Sequence, residues 1–514
     1  MKRPPSSLRS LPNEGAVSPL GRPGGTDMHR LAAACLAGAL AAGCTLGPDY
    51  VRPPVDTPAA FRFEPKDAAA TANVDWWAQF GDPVLDALIA EALANNLNVK
   101  VAAANVEQAA GVLTQARSPL FPQIGYTATG ERDRTPQPSV PPELAAFFPN
   151  PKTAYQVVAT ASWELDLWGR IRRQSEAARA TLFATDDARR GVILSLVAAV
   201  ATDYIQLRGL DEQLAIAKRT LGTYADSVKL FELQFKYGQV SQMNVAQAQS
   251  QYETAAAQIP VTESQIAQLE NALSVLIGRN PGPIERGKTI HELTAPVVPA
   301  GVPSALLEQR PDLMQSEQQL VAANAQIGAA KALYFPTLSL TGFLGGASSD
   351  LSNLFTGPAR AWNYAGQVVG PIFTFGAVSG QVAQAEAGQQ AALQSYLLSI
   401  QNAFADVDNA LVARQKLEDQ LAAQQRLVDA LATYSRLARL QYTGGYTSYS
   451  TVLQAEQALF PAELSLAGVR SSLLASSVGI YKSMGGGWVV AADRMTGDRA
   501  PPPAERGAGT PPLF

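Results

Sequence analysis

The sequence predicts a mainly helical chain that also carries strands of a membrane β-barrel and is built from two copies of one unit. Two long segments, residues 170–237 and 377–442, lack proline and repeat apolar residues at helical spacing. Shorter segments alternate apolar and polar residues, which is typical of strands with one apolar face. The order of these segments and several short motifs occur twice along the chain, which indicates an internal duplication.

The composition of the 514 residues excludes several classes of function. The net charge is −4 and only 16% of the residues are charged, so there is no basic surface for nucleic acid. Removal of a signal segment would leave His291 as the sole histidine and Cys44 as the sole cysteine. Those absences exclude disulfides, zinc sites with Cys and His ligands, and Cys–His nucleophiles. We expect no enzyme, no metal and no cofactor.

Residues 1–43 have the features of a leader and signal peptide. Arg30 precedes an apolar run that ends in Gly43 and Cys44. A charged start, a short apolar run and small residues make a secretory signal that is too short to span a bilayer. Small residues that end in Cys resemble the lipobox of bacterial lipoproteins, although Leu40 lies one position further out than in the commonest pattern. We predict a lipidated Cys44 at the start of a proline-rich tether, residues 44–75; the alternative is an ordinary signal with an incidental cysteine.

The next segments predict two short helices and two strands. The helices are expected over residues 85–95 and 97–118. From Tyr155 to Leu167 the odd positions are apolar and the even ones mostly polar, which predicts a strand. Its partner begins at Ile124, and a proline-rich loop joins the two. Such strands are long enough to cross an outer membrane at a tilt; the alternative is a two-stranded ribbon on a soluble domain.

Residues 170–237 predict one continuous helix. The segment is rich in Ala, Leu, Gln, Glu and Arg, which lose least on entering a helix. At a rise of 1.5 Å per residue it would be roughly 100 Å long, which no single compact domain needs. Residues 377–442 repeat the pattern. Two rods of this length indicate that the chain forms part of a tube or a stalk.

The duplication is clearest at the far ends of the rods. The motif F-x-x-G-x-x-S at residues 235–241 aligns with Y-x-x-G-x-x-S at residues 442–448, so Gly238 corresponds to Gly445, 207 positions later. A glycine between two rods suits the tip of a helical hairpin, where a positive φ is needed. Two further matches are Trp168-Gly169 with Phe375-Gly376, and Phe121-Pro122 with Phe335-Pro336.

The alignment divides the chain into two repeats, residues 76–290 and 291–488, followed by a disordered tail over residues 489–514. Two strand hairpins give only four strands, whereas a closed barrel needs about eight. Open strand edges are not tolerated in lipid. The rods also carry apolar residues on two sides. The chain is therefore expected to assemble with copies of itself.

Four motifs resemble the outer-membrane factor family, and in particular its lipid-anchored efflux branch, the TolC-like ducts of resistance–nodulation–division systems. They are W-x-x-F-G-D-P at residues 77–83, R-P-D-L at 310–313, A-A-N-A-Q-I-G at 322–328 and Y-K-S-M-G-G-G-W at 481–488. The resemblance covers residues 44–488. It implies a homotrimer in which a twelve-stranded β-barrel in the outer membrane continues into a twelve-helix α-barrel across the periplasm.

The resemblance also implies partners and a docking surface. The partners would be a periplasmic adaptor (membrane fusion) protein, an inner-membrane pump and outer-membrane lipid. The chain would be lipid-anchored in the cell outer membrane and extend into the periplasm. The hairpin tips are the expected adaptor contacts, and the alternative is that they are only turns. The tip residues are Gly238, Gln239, Val240, Gly445, Tyr446 and Thr447.

A gate is expected just beyond the second tip. Resembling ducts carry Leu, Asp and Arg there at helical spacing, whereas this chain carries Ser450, Gln454 and Gln457. A ring of such neutral side chains closes only through neutral hydrogen bonds, so closure should depend little on salt or pH. Tyr449 and Leu453 are expected to add bulk. The alternative is that these residues only pack between helices.

Two functions fit the resemblance. The first is the passive exit duct of a tripartite efflux system, which expels small toxic compounds with energy from an inner-membrane pump. The alternative is a duct of similar fold for type I protein secretion with an ATP-driven exporter. The lipobox and the Gly-Gly-Gly-Trp ending favour the first. A purely structural stalk would conduct no ions, and six scattered methionines give metal export no particular support.

Overall fold

The computed structural model describes residues 45–64, 75–134, 150–298, 303–486 and 488–496. The predicted lipidation site, Cys44, lies outside the described residues. So do most of the loop between the first two strands and the tail that follows Thr496.

The described residues repeat one order of elements twice. The first repeat contains the 3-10 turns Trp76–Phe80 and Ser118–Leu120, with α1 (Pro83–Asn95), α2 (Leu97–Arg117), β1 (Gln123–Asp133), β2 (Lys152–Leu165), α3 (Arg170–Lys236) and α4 (Gln242–Leu276). The second repeat contains the 3-10 turns Pro303–Ala305, Leu351–Asn353 and Gly357–Ala359, with α5 (Leu306–Gln309), α6 (Pro311–Ala332), β3 (Thr337–Ser348), β4 (Arg360–Val369), α7 (Ala377–Thr443) and α8 (Tyr449–Met484). A last helix, α9 (Trp488–Met495), follows.

Helices α3 and α7 are the two predicted rods. Each has 67 residues, so each is about 100 Å long. The chain turns back after each rod at a glycine with positive φ, 71° at Gly238 and 76° at Gly445. Glycine adopts this conformation at little cost because it has no Cβ. The returning helices α4 and α8 have 35 and 36 residues and so accompany the tip-side half of the rods.

The strands form one antiparallel sheet in the order β1-β2-β3-β4. Ile124 pairs with Ala161, Ala161 with Gly342, and Gly342 with Tyr364. Because side chains alternate along a strand, residues paired directly across strands share a face. The face that contains these four residues is apolar from the helix end of the sheet as far as Gly130 and Trp362, and Arg132 and Arg360 share it at the loop end. Its large exposed members are Ile124, Tyr126, Leu340, Leu344, Trp362, Tyr364 and Val368.

The opposite face of the sheet is mainly polar. Gln123 pairs with Ser162, and Ser162 pairs with Thr341. An apolar face toward lipid and a polar face toward water are the pattern of a membrane barrel with a water-filled interior. Strands β1 and β4 are the ends of the sheet, so each leaves one edge without a partner strand among the described residues. One chain does not close the barrel.

Aromatic side chains from the two ends of the duplicated chain lie at the centre of the core. Trp76 stacks on Tyr481 with ring centroids 5.4 Å apart, and Trp488 meets Trp76 edge-on at 5.8 Å. All three are buried and pack against the middle of α3 through residues that include Val197 and Val200. This cluster holds the beginning of the first repeat and the end of the second against the same rod.

The prediction of a disordered tail over residues 489–514 is wrong for its first part. Helix α9 buries Val489 and Ala492. Asp493 accepts hydrogen bonds from the Arg189 guanidinium at 2.6 and 3.0 Å. An eight-residue helix is stabilised by such packing rather than by its own propensity, so the sequence pattern was too short to indicate it. Residues 497–514 lie outside the described residues.

A positive charge on the apolar face of the sheet should be costly. We expect Ala161→Arg to destabilise the protein in lipid. Its free energy of unfolding should fall by up to about 2–4 kcal/mol, the cost of an arginine facing lipid at the bilayer midplane. Ser162→Arg is the matched control, because Ser162 is the next residue on the opposite face. Urea unfolding in lipid vesicles measures both variants. Equal costs for the two substitutions would contradict the assignment of the faces.

Candidate functional site

The two hairpin tips lie side by side at one end of the rods. Phe231 near the end of α3 contacts Tyr449 at the start of α8, with ring centroids 4.1 Å apart. Tyr442 lies 6.4 Å from the Phe231 ring and 5.6 Å from the Tyr449 ring. These three aromatics belong to one apolar cluster that joins both hairpins. The structure therefore brings the predicted tip residues of both repeats into one surface.

The predicted docking residues differ in exposure within that surface. The Tyr446 side chain is 87% exposed, and Gln239 is also exposed. Val240 and Thr447 are half-buried, and Val240 packs against the cluster beneath. The exposed positions are available to a partner, whereas the half-buried ones also support the turn.

The predicted gate residues lie on one exposed face of α8. Ser450, Gln454 and Gln457 are all exposed in the protomer, and their spacing of four and three residues places them on one side of a helix. The Ser450 hydroxyl lies 2.6 Å from that of Ser448. A continuous stripe of neutral hydrogen-bonding groups therefore runs down α8 from the second tip.

The prediction that Tyr449 and Leu453 add bulk to this face is wrong. Their relative exposures are 7% and 8%, and both belong to the apolar cluster around Phe231. They lie on the side of α8 that faces the protomer's own core. The helical spacing alone did not show which side of α8 packs against α3.

The sequence reasoning missed an ion pair beneath the gate face, between the buried Glu456 and the partly exposed Arg439. The Glu456 side chain is 5% exposed, and its carboxylate accepts a hydrogen bond of 2.7 Å from Arg439 Nε on α7. Its second oxygen, Oε2, has no hydrogen-bond partner among the described residues. A single acidic residue among Val452, Leu453, Ala455 and Phe460 is the signal that could have revealed it. The pair links the two helices of the second hairpin next to the gate stripe.

The stability of the second tip should fall as pH rises. Burial raises the pKa of the Glu456 carboxyl above its ordinary value of 4.5, and attraction to the partly exposed Arg439 offsets this only in part. A carboxyl with a higher pKa in the folded state contributes stability that is lost as pH rises from 4.5 through the raised pKa. Amide hydrogen exchange at the start of α8, corrected for its intrinsic rate, should therefore be slower at about pH 5 than at about pH 7.5.

Two variants distinguish Glu456 as the source of this pH dependence. Glu456→Gln should abolish it. Glu463→Gln removes a less buried carboxylate of the same helix, 3.7 Å from Arg219, and should leave it in place. If hydrogen exchange at the start of α8 still depends on pH in Glu456→Gln, another group is responsible.

The first described residues are fixed beside the junction of β2 and α3. The Leu46 N–H donates to the Trp168 carbonyl at 3.2 Å. The buried Arg173 guanidinium donates to the Leu46 carbonyl at 3.0 Å and to the Asp49 carboxylate at 2.7 Å. A lipid on residue 44 would thus enter the membrane next to the end of the strands.

The described residues contain no group of three or more His, Cys, Asp or Glu side chains that could hold a metal ion.

The family model for outer membrane efflux proteins matches residues 88–279 and 302–486. The chain belongs to the outer membrane efflux protein family.

Relatives of this efflux protein match over nearly their whole length. It is 35% identical over 460 residues to the cation efflux system protein CusC of Escherichia coli O6:H1. The alignment covers 88% of this chain and 98% of CusC. It is 36% identical over 456 residues to the solvent efflux pump outer membrane protein SrpC of Pseudomonas putida, with 87% and 96% covered.

Solved structures confirm the fold. A crystal structure of CusC aligns with a TM-score of 0.77 at 33% identity over 86% of this chain and all of that one. The open state of the Neisseria gonorrhoeae MtrE outer membrane channel aligns with a TM-score of 0.78 at 31% identity, over 86% of this chain and 98% of that one.

Membership confirms the predicted architecture and setting. The efflux protein is a homotrimeric channel of the outer membrane that extends into the periplasm. Three four-stranded sheets supply the twelve strands of its barrel, and the helices continue it as an α-barrel. It works in a tripartite system with a periplasmic adaptor and an inner-membrane pump. Members of the family are channels and not enzymes.

Proposed function

We propose that this efflux protein is a passive exit duct for small toxic molecules and that its own residues do no chemistry on the cargo. The observation that carries the proposal is the division of the sheet into one apolar and one polar face, which gives the barrel a hydrated interior. The rods extend that interior by about 100 Å, the scale of a periplasmic tunnel. The inner-membrane pump supplies the energy.

Selection of the cargo is assigned to the pump rather than to the duct. The named relatives serve different cargoes, cations for CusC and solvents for SrpC. The stripe of Ser450, Gln454 and Gln457 is neutral and can hydrogen-bond to water, so it favours no charge.

Deletion of the gene tests this function. The deletion strain should become hypersensitive to several chemically unrelated organic toxins, and the wild-type gene should restore resistance. A panel that includes solvents, antibiotics and silver or copper salts identifies the cargo class. Unchanged sensitivity to every compound, together with retention of a normally secreted protein, would instead support type I protein secretion.

Lipidation at Cys44 is also proposed. The support is the lipobox-like sequence and the fixed position of residues 45–49 at the membrane end of α3. We expect a palmitate analogue to label the wild-type protein and not Cys44→Ser. The variant should keep part of its efflux activity, because the barrel itself spans the membrane. Undiminished labelling of Cys44→Ser would contradict the assignment.

A further inference from the structure

The duplication holds at the level of strand register. In the first repeat Gln123 of β1 pairs with Ser162 of β2, and in the second Thr337 of β3 pairs with Val369 of β4. Phe121 and Phe335 differ by 214 positions, and Trp168 and Phe375 by 207. A shift of β1 by 214 and of β2 by 207 converts the first pairing into the second, since 123 becomes 337 and 162 becomes 369. The two hairpins are therefore equivalent residue by residue.

The pairing between the hairpins has no equivalent within one chain. Strand β2 pairs with β3 from Tyr155 opposite Ser348 to Leu165 opposite Leu338. The same two shifts applied to this pairing move β2 onto β4 and β3 onto β1. Those are the two open edges of the sheet. In the trimer the only β1 available to β4 is that of a second copy.

We propose that β4 of one copy pairs with β1 of the next copy, with Gln367 opposite Thr129. We also propose that residues 370–375 pack against Phe121, just before that β1; this second contact is called the clasp. The shifts give the register directly, because they turn Thr160 opposite Phe343 into Gln367 opposite Thr129. Val369 then lies opposite Thr127, and Trp362 opposite Arg134. This pairing closes the barrel of the homotrimer, and the junction between β4 of one copy and β1 of the next is called the seam.

The faces of the two strands agree with this register. It pairs Val368 with Ala128 and Gly366 with Gly130, which all belong to the apolar face in the single chain. A slip of one residue would place apolar side chains against the polar face. The apolar band therefore stays continuous around the trimer only in this register or in one displaced by an even number of residues.

The clasp follows from an aromatic contact inside one chain. Trp168, just after β2, lies against Phe335, just before β3, with ring centroids 4.7 Å apart. The equivalent residues at the seam are Phe375, just after β4, and Phe121, just before β1. Their relative exposures are 89% and 55% in the single chain. Each is exposed and lacks the partner that its equivalent has.

The segment after β4 is shaped for this contact and not for a longer strand. The ladder with β3 ends at Val369, and Pro371 has no N–H to continue it. Ile372 is fully exposed, and Phe375 has a φ of 48°, which is a strained conformation for a residue with a side chain. In the β2–β3 pair, backbone pairing continues to Leu165 opposite Leu338, which corresponds to Ile372 opposite Ile124 at the seam. There, side-chain burial against the next copy replaces the backbone hydrogen bonds.

The helices carry the same equivalence below the membrane. Ala180 of α3 and Ala325 of α6 are buried together in one cluster. A shift of 207 moves Ala180 to Ala387 of α7, and a shift of 214 in the other direction moves Ala325 to Gly111 of α2. Both Ala387 and Gly111 are exposed. A Cβ added at Gly111 would meet nothing within 4 Å in the single chain. The seam therefore continues as a close helix crossing between copies.

Engineered disulfides test the register. Directly opposed residues have Cα atoms about 4.5–5.5 Å apart, within disulfide range. Oxidation of the full-length protein with Gln367→Cys and Thr129→Cys should yield covalent trimers on a non-reducing gel. Gln367→Cys with Ala128→Cys represents a slip of one residue, and Gln367→Cys with Glu131→Cys a slip of two; both should yield none. Each single substitution controls for Cys35 and Cys44.

Two outcomes would overturn the register. One is preferential linking of Gln367→Cys to either slipped partner. The other is the absence of linking in all three pairs although native trimers form.

The clasp has a separate test that needs no disulfide. Phe375→Ser should lose the trimer band that resists SDS without heating, and Phe121→Ser should lose it too, whereas Phe375→Trp should retain it. Phe355→Ser is the control, because Phe355 is 83% exposed but lies in the loop at the other end of the sheet. SDS-resistant trimers of Phe375→Ser at the wild-type level would overturn the clasp and leave the register to the disulfide result.

Discussion

Export is expected to stop when cysteines at Gln454 are oxidised in the assembled trimer. Gln454 lies on the exposed stripe of α8 with Ser450 and Gln457, one turn or more beyond the second tip. If the three stripes meet at the trimer axis, oxidation of Gln454→Cys joins two of the three copies, because each cysteine forms only one disulfide and the third keeps a free thiol. The bond holds two of the three α8 helices together at the axis, so drug accumulation in cells should rise to that of the deletion strain. Reduction should restore export.

The internal duplication supplies a matched control for this result. Gln247 of α4 is the equivalent of Gln454 in the first repeat, 207 positions earlier, and is half-buried. Gln247→Cys should not join copies, because the narrowing is proposed beyond the second tip alone. Export that persists when every trimer contains a Gln454→Cys disulfide would place the constriction elsewhere.

The chemistry of the stripe also predicts how the closed state responds to solution conditions. Neutral hydrogen bonds between such side chains contribute about 0.5–1.5 kcal/mol each, and salt hardly screens them. Conductance of the isolated trimer in lipid bilayers should therefore change little with added salt beyond the change in ion supply. A ring of carboxylates would bind cations and respond strongly.

Loss of resistance is expected from single charges placed at the hairpin tips. Tyr446→Asp and Gln239→Arg change two exposed side chains that make no packing contact in the core of the protomer. An unmatched charge that must be desolvated against an adaptor weakens the contact without unfolding the tip. Cells that carry either variant should be as sensitive to toxins as the deletion strain, and the purified variants should remain trimers.

A control on the rod separates docking from a general effect of charge. Tyr434 of α7 is 39% exposed and lies before the tip, so Tyr434→Asp should keep resistance. Cross-linking to the adaptor in cells should fail for both tip variants and succeed for the control. Full resistance in both tip variants would return these segments to the role of turns.

Much of the fold could be predicted because its signals are local and long. Residues 170–237 and 377–442 were predicted as rods, and the structure has helices at Arg170–Lys236 and Ala377–Thr443. A proline-free apolar repeat of this length has no competing strand interpretation, and glycine identifies the reversal between rods. The alternation from Tyr155 onward likewise predicted β2 and its apolar face.

The sequence by itself therefore determined the elements, their duplication and the need for further copies. Only the tertiary structure decided which side of each helix is buried, because a rod with apolar residues on two sides offers two choices. It turned Tyr449 and Leu453 toward Phe231, left Ser450 and Gln454 exposed, and buried Glu456 against Arg439. It also folded α9, since burial against a rod some 300 residues earlier in the chain, as in the Arg189–Asp493 pair, stabilises what eight residues cannot stabilise alone.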